Sequence, residues 1–325
     1  MVGMTEWGFH ASHEQISPGQ LLLDVQHAER AGFAMAMCSD HISPWSRRQG
    51  HSGSHWPWLG AALATTSFPI GSLAIPGARY HPVVLAHQVA TLAQMFPGRY
   101  WAALGTGEAV NETLVGAPWP PKEERVRHLE EAVDVIRRLL AGEEVTRDGP
   151  VRAVRARVWE QPDPQPLLIG PAISVESAAR VAAWADGLVT VNQPVDVLAD
   201  VLTAYRGAGG RGRAALQLHV SWAHTEEEAA AIAHDQWRSN VFADPVAADT
   251  SSVRAFDAMS EHVQPAAVHG PVRVSADLGR HRAWIEEYLD VGFDDIYLHH
   301  VGQRQQEFID TFGEHVLPAV ASGRD

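Results

Sequence analysis

Several features that mark particular classes of protein are scarce in this sequence. It has a single cysteine, Cys38, in 325 residues, so no disulfide can form within the chain and nothing calls for an oxidising compartment. Its longest apolar runs, such as 59–64, fall far short of the roughly 20 residues that a membrane span needs. The N-terminal segment lacks the apolar core of a secretory signal. We therefore expect a cytoplasmic protein.

Positive charge is also scarce. The chain carries 25 Lys and Arg residues against 39 Asp and Glu residues, for a net charge of -14, and Lys122 is its one lysine. Nucleic acids and anionic membranes need a basic surface that binds their phosphates. The composition therefore argues against both as main partners and favours a small-molecule substrate.

The chain does contain a regular alternation of short apolar runs with longer helical patterns. Eight such runs, each followed by a helix, predict an α/β fold, a single (β/α)8 TIM barrel over residues 1–325. The segment at about 242–290 is too long for a plain connection, and we interpret it as a helical insertion before strand eight. The predicted strands cover 6–11, 33–38, 70–75, 100–104, 167–169, 187–191, 216–222 and 295–299, and the apolar spacing at 122–140 predicts an amphipathic helix there.

In a barrel of this type the chemistry takes place at the C-terminal ends of the strands. Asp40-His41, after strand two, stands out, because a carboxylate beside an imidazole can orient it or raise its pKa, as a general base near neutrality requires. The alternative is that Asp40 caps a turn and His41 covers the rim. Trp45 is either rim packing or one wall of a cavity for a planar ring. Polar residues also follow strands one, four and eight, namely His10, Ser12, His13, Glu14, Glu108, Asn111, Glu112, His299 and His300.

Glycine-containing segments follow strands four and five. In Gly105-Thr106-Gly107-Glu108 the missing Cβ atoms let backbone N–H groups approach a ligand, although such a segment is also an ordinary strand exit. It does not match the glycine fingerprint of dinucleotide-binding folds. Gly170-Pro171-Ala172-Ile173-Ser174 leads into a helix N-terminus. The free N–H groups there suit a phosphate, while Ser174 is an equally good ordinary N-cap.

Eighteen histidines raise the hypothesis of a metal-dependent hydrolase on the same barrel. Their pairs follow no zinc-binding spacing, and no H-E-x-x-H occurs, so we expect no metal site. Cys38, at the apolar end of strand two, is better explained as a small buried residue than as a nucleophile. No G-x-S-x-G segment supports acyl transfer.

Five segments taken together point to a known family. They are Gly8-Phe9-His10-Ala11-Ser12-His13-Glu14-Gln15, Ser39-Asp40-His41 with Pro44-Trp45, Arg79-Tyr80-His81-Pro82, Phe96-Pro97-Gly98-Arg99 and Gly105-Thr106-Gly107-Glu108-Ala109-Val110-Asn111-Glu112. These segments resemble those of the luciferase-like flavin and deazaflavin oxidoreductases. The resemblance is closest to the branch of coenzyme F420-dependent glucose-6-phosphate dehydrogenases, and it implies a redox enzyme.

The resemblance also implies roles for individual residues. His41 is the base that takes a proton from a substrate hydroxyl, and Trp45 packs over the substrate. Glu108 lies near N1 of the ring and serves as an acid, while Glu14 holds the substrate or His41. The cofactor ring or its ribityl chain contacts Asp40, Thr106, Gly107 and Asn111. Ser72-Leu73 provides a non-prolyl cis peptide bond behind the ring, and Gly170, Pro171, Ala172 and Ser174 face the cofactor phosphate.

The sequence departs from the sugar-phosphate dehydrogenases in one respect. These enzymes bind the substrate phosphate with lysines and an arginine, yet 191–194 and 263–274 contain no lysine here. The patterns at 37–41 and 116–121 resemble instead a predicted non-F420 flavinoid branch that uses FMN. We therefore favour FMN as the cofactor, with coenzyme F420 as the alternative.

The leading hypothesis is thus an oxidoreductase that exchanges a hydride with a small alcohol or carbonyl compound, sugar-like compounds included. The alternatives are an FMN-dependent luciferase-like monooxygenase and a flavin-binding relative without turnover, with a metal-dependent hydrolase less favoured. The resemblance also implies a homodimer and leaves room for a separate reductase that supplies reduced cofactor.

Overall fold

Eight parallel strands close into a barrel in the computed structural model, which describes residues 6–322. Each strand pairs with the next along the chain, and the eighth pairs with both the seventh and the first, so the barrel has no open edge. The predicted TIM barrel is confirmed. The barrel strands are Glu6–Ala11, Met35–Cys38, Ile70–Ala74, Tyr100–Leu104, Leu167–Pro171, Gly187–Val191, Ala214–Ser221 and Asp295–His300.

Alternation along the strands decides which side chains fill the barrel and which face the helices. Leu73, Trp101 and Tyr297 belong to a cluster contributed by seven strands, so they lie inside the barrel. A Cβ on Gly71 would come within 1.9 Å of the Trp101 ring, so the glycine makes room for that indole. The strand residues that alternate with this inner cluster point outward and pack against the helices.

Helices surround the barrel, and several of them begin at a side-chain cap or a proline. Ser17-Pro18 opens the first helix, and Lys122–Leu140 spans the predicted amphipathic segment. The α-helices are Pro18–Arg30, His55–Thr65, Pro82–Met95, Ala109–Glu112, Lys122–Leu140, Val175–Val181, Val195–Gly207, Glu226–Trp237, Val246–Asp249, Val253–Ser260, Leu278–Val291, Gln305–His315 and Leu317–Ser322. No helix within residues 6–322 is long and apolar enough to cross a membrane.

Two excursions interrupt the alternation. An antiparallel hairpin of Val145–Arg147 and Ala153–Ala156 precedes the fifth barrel strand. The stretch 242–290 holds two short helices, a 3-10 helix at Pro265–His269, and the strand Arg273–Val274, which pairs with the seventh barrel strand. It also includes most of the helix Leu278–Val291. The excursion brings Phe256 and Pro271 to the mouth of the barrel.

Candidate active site

A cavity of about 280 Å³ opens at the C-terminal ends of the strands; we call it the mouth cavity. Five of the predicted site residues line it, namely Glu14, His41, Leu73, Trp45 and Glu108. They come from the ends of strands one to four, so closure of the barrel brings together residues that are far apart in the chain. No Lys or Arg side chain of residues 6–322 contributes to the lining.

His41 forms an ion pair with Glu14 at the wall of this cavity. Nδ1 of His41 lies 2.9 Å from Oε1 of Glu14, and the other carboxylate oxygen accepts hydrogen bonds from Ser12 Oγ at 2.8 Å and Ser39 Oγ at 2.7 Å. Burial opposes the charge on both partners, but their attraction and hydrogen bond outweigh it. The pKa of His41 rises to about 9, and the pKa of Glu14 falls well below its usual range. At neutral pH the pair is therefore imidazolium and carboxylate.

The carboxylate that pairs with His41 is thus Glu14 and not the neighbouring Asp40. Consecutive residues at a strand end point in opposite directions, and Asp40 points to a different set of partners. Its Oδ1 lies 2.9 Å from His55 Nδ1 and accepts hydrogen bonds from Arg79 and the Tyr80 hydroxyl, both at 3.2 Å. Burial raises the pKa of Asp40, but His55 and Arg79 more than offset this and lower it. Asp40 does not line the mouth cavity.

Arg79 is a central residue whose role the sequence did not reveal. Its side chain is 2% exposed and bridges two carboxylates, since Nε donates to Glu112 Oε1 at 2.6 Å while Nη1 contacts Asp40. The sequence signal was available, because a lone arginine follows strand three in a chain rich in acids. This bridge ties the loops after strands two, three and four together behind His41.

Glu108 and Trp45 complete the reactive side of the cavity. Burial raises the pKa of Glu108 against the opposing effect of His41, so this carboxyl keeps its proton closer to neutrality than an exposed one. Trp45 stands edge-on to His41 at 5.2 Å between ring centroids, and Phe256 packs against it at the same distance. An aromatic wall therefore lies beside the ion pair.

Three residues after strand four have different surroundings. Asn111 is fully buried, and its Oδ1 accepts from the Ile42 N–H at 2.8 Å, which fixes the loop after His41; its Nδ2 has no partner. Gly107 has a φ of +75°, and a Cβ there would meet Glu112 at 2.8 Å, so its backbone conformation and packing require glycine. Thr106 lines a separate cavity of about 360 Å³ and not the mouth cavity.

Two expectations about strand three have different outcomes. Leu73 points into the mouth cavity. Ser72 points outward because of the alternation of the strand, and its hydroxyl lies 2.9 Å from the Tyr100 hydroxyl. The expected cis peptide bond at Ser72-Leu73 is wrong, because this bond is not among the cis bonds of the described residues. The cis bonds within residues 6–322 are Asp163-Pro164 and Asp244-Pro245.

The segment expected to face a phosphate does not line the mouth cavity. A Cβ on Gly170 would lie 2.5 Å from Val181 Cβ, so the glycine is explained by the helix that packs on it. Ser174 forms a reciprocal capping box with Ser177, which occupies the hydroxyl and the N–H of Ser174. Pro171 ends the fifth strand, and Ala172 is buried, with its N–H bonded to the Val189 carbonyl.

A second part of the lining of the mouth cavity is polar and uncharged. His10, Gln217, His219 and His299 line it from strands one, seven and eight, and we call these four residues the polar floor. His10 and His299 were visible as strand ends in the sequence. Gln217 and His219 were missed, although two polar residues at i and i+2 in an apolar strand indicate a polar patch inside the barrel. Within residues 6–322 no group of three or more His, Cys, Asp and Glu side chains is arranged to hold a metal ion.

The sequence matches the model of the luciferase-like monooxygenase family over residues 4–299. The chain belongs to this family. Curated relatives include F420-dependent glucose-6-phosphate dehydrogenases of Nakamurella multipartita, 34% identical over 326 residues that cover 96% of this chain and 95% of the relative, and of Microbacterium testaceum, 34% identical over 337 residues that cover 96% of each chain.

The solved structures include a luciferase-like neighbour with the same barrel. It is an F420-dependent secondary alcohol dehydrogenase in complex with an F420-acetone adduct, with a TM-score of 0.90 and 27% identity over 98% of this chain and 99% of that one. This chain is an enzyme, an oxidoreductase of the luciferase-like family. All three of these relatives are named as F420-dependent enzymes. They support coenzyme F420, the alternative given by the sequence, and do not support FMN as the main cofactor.

Proposed function

We propose that this luciferase-like enzyme uses coenzyme F420 to exchange a hydride with the alcohol or carbonyl carbon of a small uncharged substrate. The F420-dependent relatives support this choice of cofactor. The observation that carries the rest is the Glu14–His41 ion pair, which faces the mouth cavity between Trp45 and Glu108.

The residues of the mouth cavity fit a flat heteroaromatic ring. Trp45, Phe256 and Leu73 supply apolar walls, and ligand sites typically combine such walls with a few convergent polar groups. Nδ1 of His10, a lining residue, is a buried polar atom without a partner in the described chain, and buried polar groups of this kind need one. F420, when bound, supplies the hydride acceptor in one direction and the hydride donor in the other.

His41 moves the proton that accompanies the hydride. Because Glu14 engages Nδ1, Nε2 is the ring nitrogen left for the substrate oxygen. In the oxidation direction Nε2 accepts the hydroxyl proton, and in the reduction direction it returns that proton to the carbonyl oxygen. With the pKa of His41 raised to about 9, the protonated ring prevails at neutral pH. The site is therefore set for carbonyl reduction near neutrality and for alcohol oxidation at alkaline pH.

Glu108 and Trp45 support this transfer. A carboxyl group that keeps its proton can donate a hydrogen bond to a neighbouring carbonyl or ring nitrogen without adding a second negative charge to the site. The Trp45 ring covers one side of His41 and limits the access of water to it, which strengthens the ion pair.

The charge of the cavity favours an uncharged substrate over a sugar phosphate. Glu14 and Glu108 lie in its wall, no Lys or Arg of the described residues joins them, and the charge of His41 is already paired with Glu14. A phosphate that entered the cavity would lose its hydration, and no unpaired positive charge there would compensate for that loss. We therefore propose a neutral alcohol or carbonyl substrate, although the curated relatives act on glucose 6-phosphate by name.

Replacing His41 tests the assignment directly. His41→Asn should lower kcat for alcohol oxidation by about 10²- to 10⁴-fold, the usual contribution of a positioned acid–base group, while the Kd for F420 changes little. Stopped-flow kinetics and a fluorescence titration measure the two quantities. The matched control is His87→Asn, at an exposed position on the helix Pro82–Met95. Wild-type turnover in His41→Asn would remove His41 from the chemistry.

A further inference from the structure

We infer that the polar floor is a subsite that binds an uncharged hydroxyl group of a ligand, through Gln217 Oε1 and the ring of His10. The inference deepens the proposed function, on which it rests for the identity of the ligand. It concerns lining residues of the mouth cavity other than the Glu14–His41 pair, and these residues take no part in the proton transfer.

Hydrogen bonds fix the orientation of the side chains in the floor. Nε2 of His299 lies 2.8 Å from Oε1 of Gln15, whose own amide nitrogen donates to the Val301 carbonyl. Because that amide is oriented by a carbonyl, its oxygen can only accept, and His299 must carry its proton on Nε2. Nδ1 of His299 is therefore an acceptor.

The amide of Gln217 satisfies that acceptor and a second one. Its Nε2 lies 3.1 Å from His299 Nδ1 and 3.1 Å from His219 Nε2. An amide nitrogen has two hydrogens, so one N–H donates to each imidazole. His219 is then protonated on Nδ1, and the amide of Gln217 cannot flip without breaking both bonds.

Two sets of polar atoms remain for a ligand once this network is complete. Oε1 of Gln217 has no hydrogen bond within the described residues, and the buried Nδ1 of His10 has none either. Both residues line the mouth cavity. An imidazole that neither donates nor accepts is costly when buried, and a carboxamide oxygen accepts from a donor. A hydroxyl group, which does both, satisfies the two residues together.

The polar floor carries no charge, so it favours a hydroxyl over an anionic group as its ligand. Burial lowers the pKa of His10 to about 4 and of His219 to about 3, and it lowers the pKa of His299 well below its ordinary value. At neutral pH these rings offer no positive charge to a phosphate or carboxylate. A neutral hydroxyl keeps its hydrogen bonds there without a cost for burying charge.

Packing holds the floor rigid. The rings of His10 and His299 stack at 4.3 Å between centroids, and Trp237 packs against both His299 and His219 at 4.9 and 4.7 Å. Side chains fixed in this way lose little freedom when a ligand binds. The floor is thus preorganised to distinguish ligands that have the hydroxyl from those that lack it.

Two sources can supply the hydroxyl, and an experiment with two arms distinguishes them. One source is the phenolic hydroxyl of the deazaflavin ring, and the other is a second hydroxyl of a polyol or unphosphorylated sugar substrate. The variants are Gln217→Leu and His10→Phe, each made separately. Gln26→Leu, on the outer helix Pro18–Arg30, is the matched control, and thermal melting checks that each variant folds.

The first arm measures the Kd for F420 by fluorescence, and the second compares kcat/KM for xylitol and glucose with kcat/KM for 2-propanol. A drop of about tenfold, as expected for one buried hydrogen bond, in F420 affinity identifies the cofactor hydroxyl. The same drop confined to xylitol and glucose identifies a substrate hydroxyl. Unchanged values in both arms with folded variants overturn the inference.

A control without turnover separates this inference from the proposed function. If the wild-type protein binds no F420 and oxidises none of the three alcohols, the proposed function fails. Protection of the protein by xylitol or glucose against thermal unfolding then still tests the subsite, since it needs no cofactor. Protection that Gln217→Leu abolishes supports the subsite, and protection absent from the wild type overturns it.

Discussion

The Glu14–His41 pair shows how one buried contact sets the protonation state of the site. Either side chain buried alone would favour its neutral form. Held 2.9 Å apart, each stabilises the charge of the other, and the pKa of His41 rises to about 9. The direction of proton transfer at a given pH therefore depends on Glu14 as much as on His41.

Glu14→Gln tests this dependence through the pH profile. Alcohol oxidation needs neutral His41, so kcat/KM rises as pH increases through the pKa of His41, which is about 9 in the wild type. Without the carboxylate, burial lowers that pKa, and the rising limb should move toward or below the ordinary value of about 6.5. Carbonyl reduction should lose activity over the same range with the opposite slope.

The pH profile needs a matched control. Glu29→Gln changes a carboxylate that binds Ser67 outside the mouth cavity, and it should leave the limb in place. An identical limb in wild type and Glu14→Gln would contradict the assigned role of the pair.

At the residue scale, the sequence predicted which residues belong to the site better than it predicted which of them contact one another. Strand ends of a TIM barrel converge whatever their sequence, so Glu14, His41, Trp45 and Glu108 could be grouped by position alone. The partner of His41 could not, because Asp40 is adjacent in sequence and the choice depends on which way each side chain turns. Gln217 and His219 were missed because their role depends on which face of strand seven points inward.

At the scale of elements, the first and last residues of some periodic strands and helices were predicted correctly. The ends that depend on irregular backbone geometry were not. The strands at 6–11, 100–104 and 187–191 and the helix at 122–140 agree in both ends. Strand two begins at Met35 rather than Phe33, because the Phe33 N–H bonds to the Ala28 carbonyl and closes the preceding helix. Such capping depends on backbone geometry that an apolar pattern does not encode.

Replacing Gly170 tests whether this glycine is needed for packing or for binding the cofactor. A Cβ there would press on Val181, on the helix Val175–Val181, so Gly170→Ala should destabilise the protein by about 1–3 kcal/mol, as overpacking does. Urea unfolding measures the change. Gly60→Ala is the matched control, because its Cβ would meet nothing within 4 Å on the helix His55–Thr65. Unchanged stability of Gly170→Ala with weakened F420 binding would restore the cofactor-binding interpretation.

At the scale of the whole molecule, the closed barrel gathers one charged and one neutral polar surface around a single cavity. The charged surface is the Glu14–His41 pair, which Glu108 adjoins, and the neutral one is the polar floor. In the proposed function, hydride exchange with an uncharged substrate would use the first for the proton and the second for recognition. A homodimer, a separate reductase and a cytoplasmic location stay predictions; light scattering on the purified protein checks the first.

The central claim is that this cavity serves F420 and an uncharged alcohol. The most direct measurement is a titration of the purified protein with F420 and, separately, with FMN, followed by addition of 2-propanol to the complex. We expect saturable binding of F420, weaker or no binding of FMN, and loss of the oxidised deazaflavin absorbance on addition of the alcohol at alkaline pH. Saturable binding of FMN alone, or binding of neither compound, would contradict it.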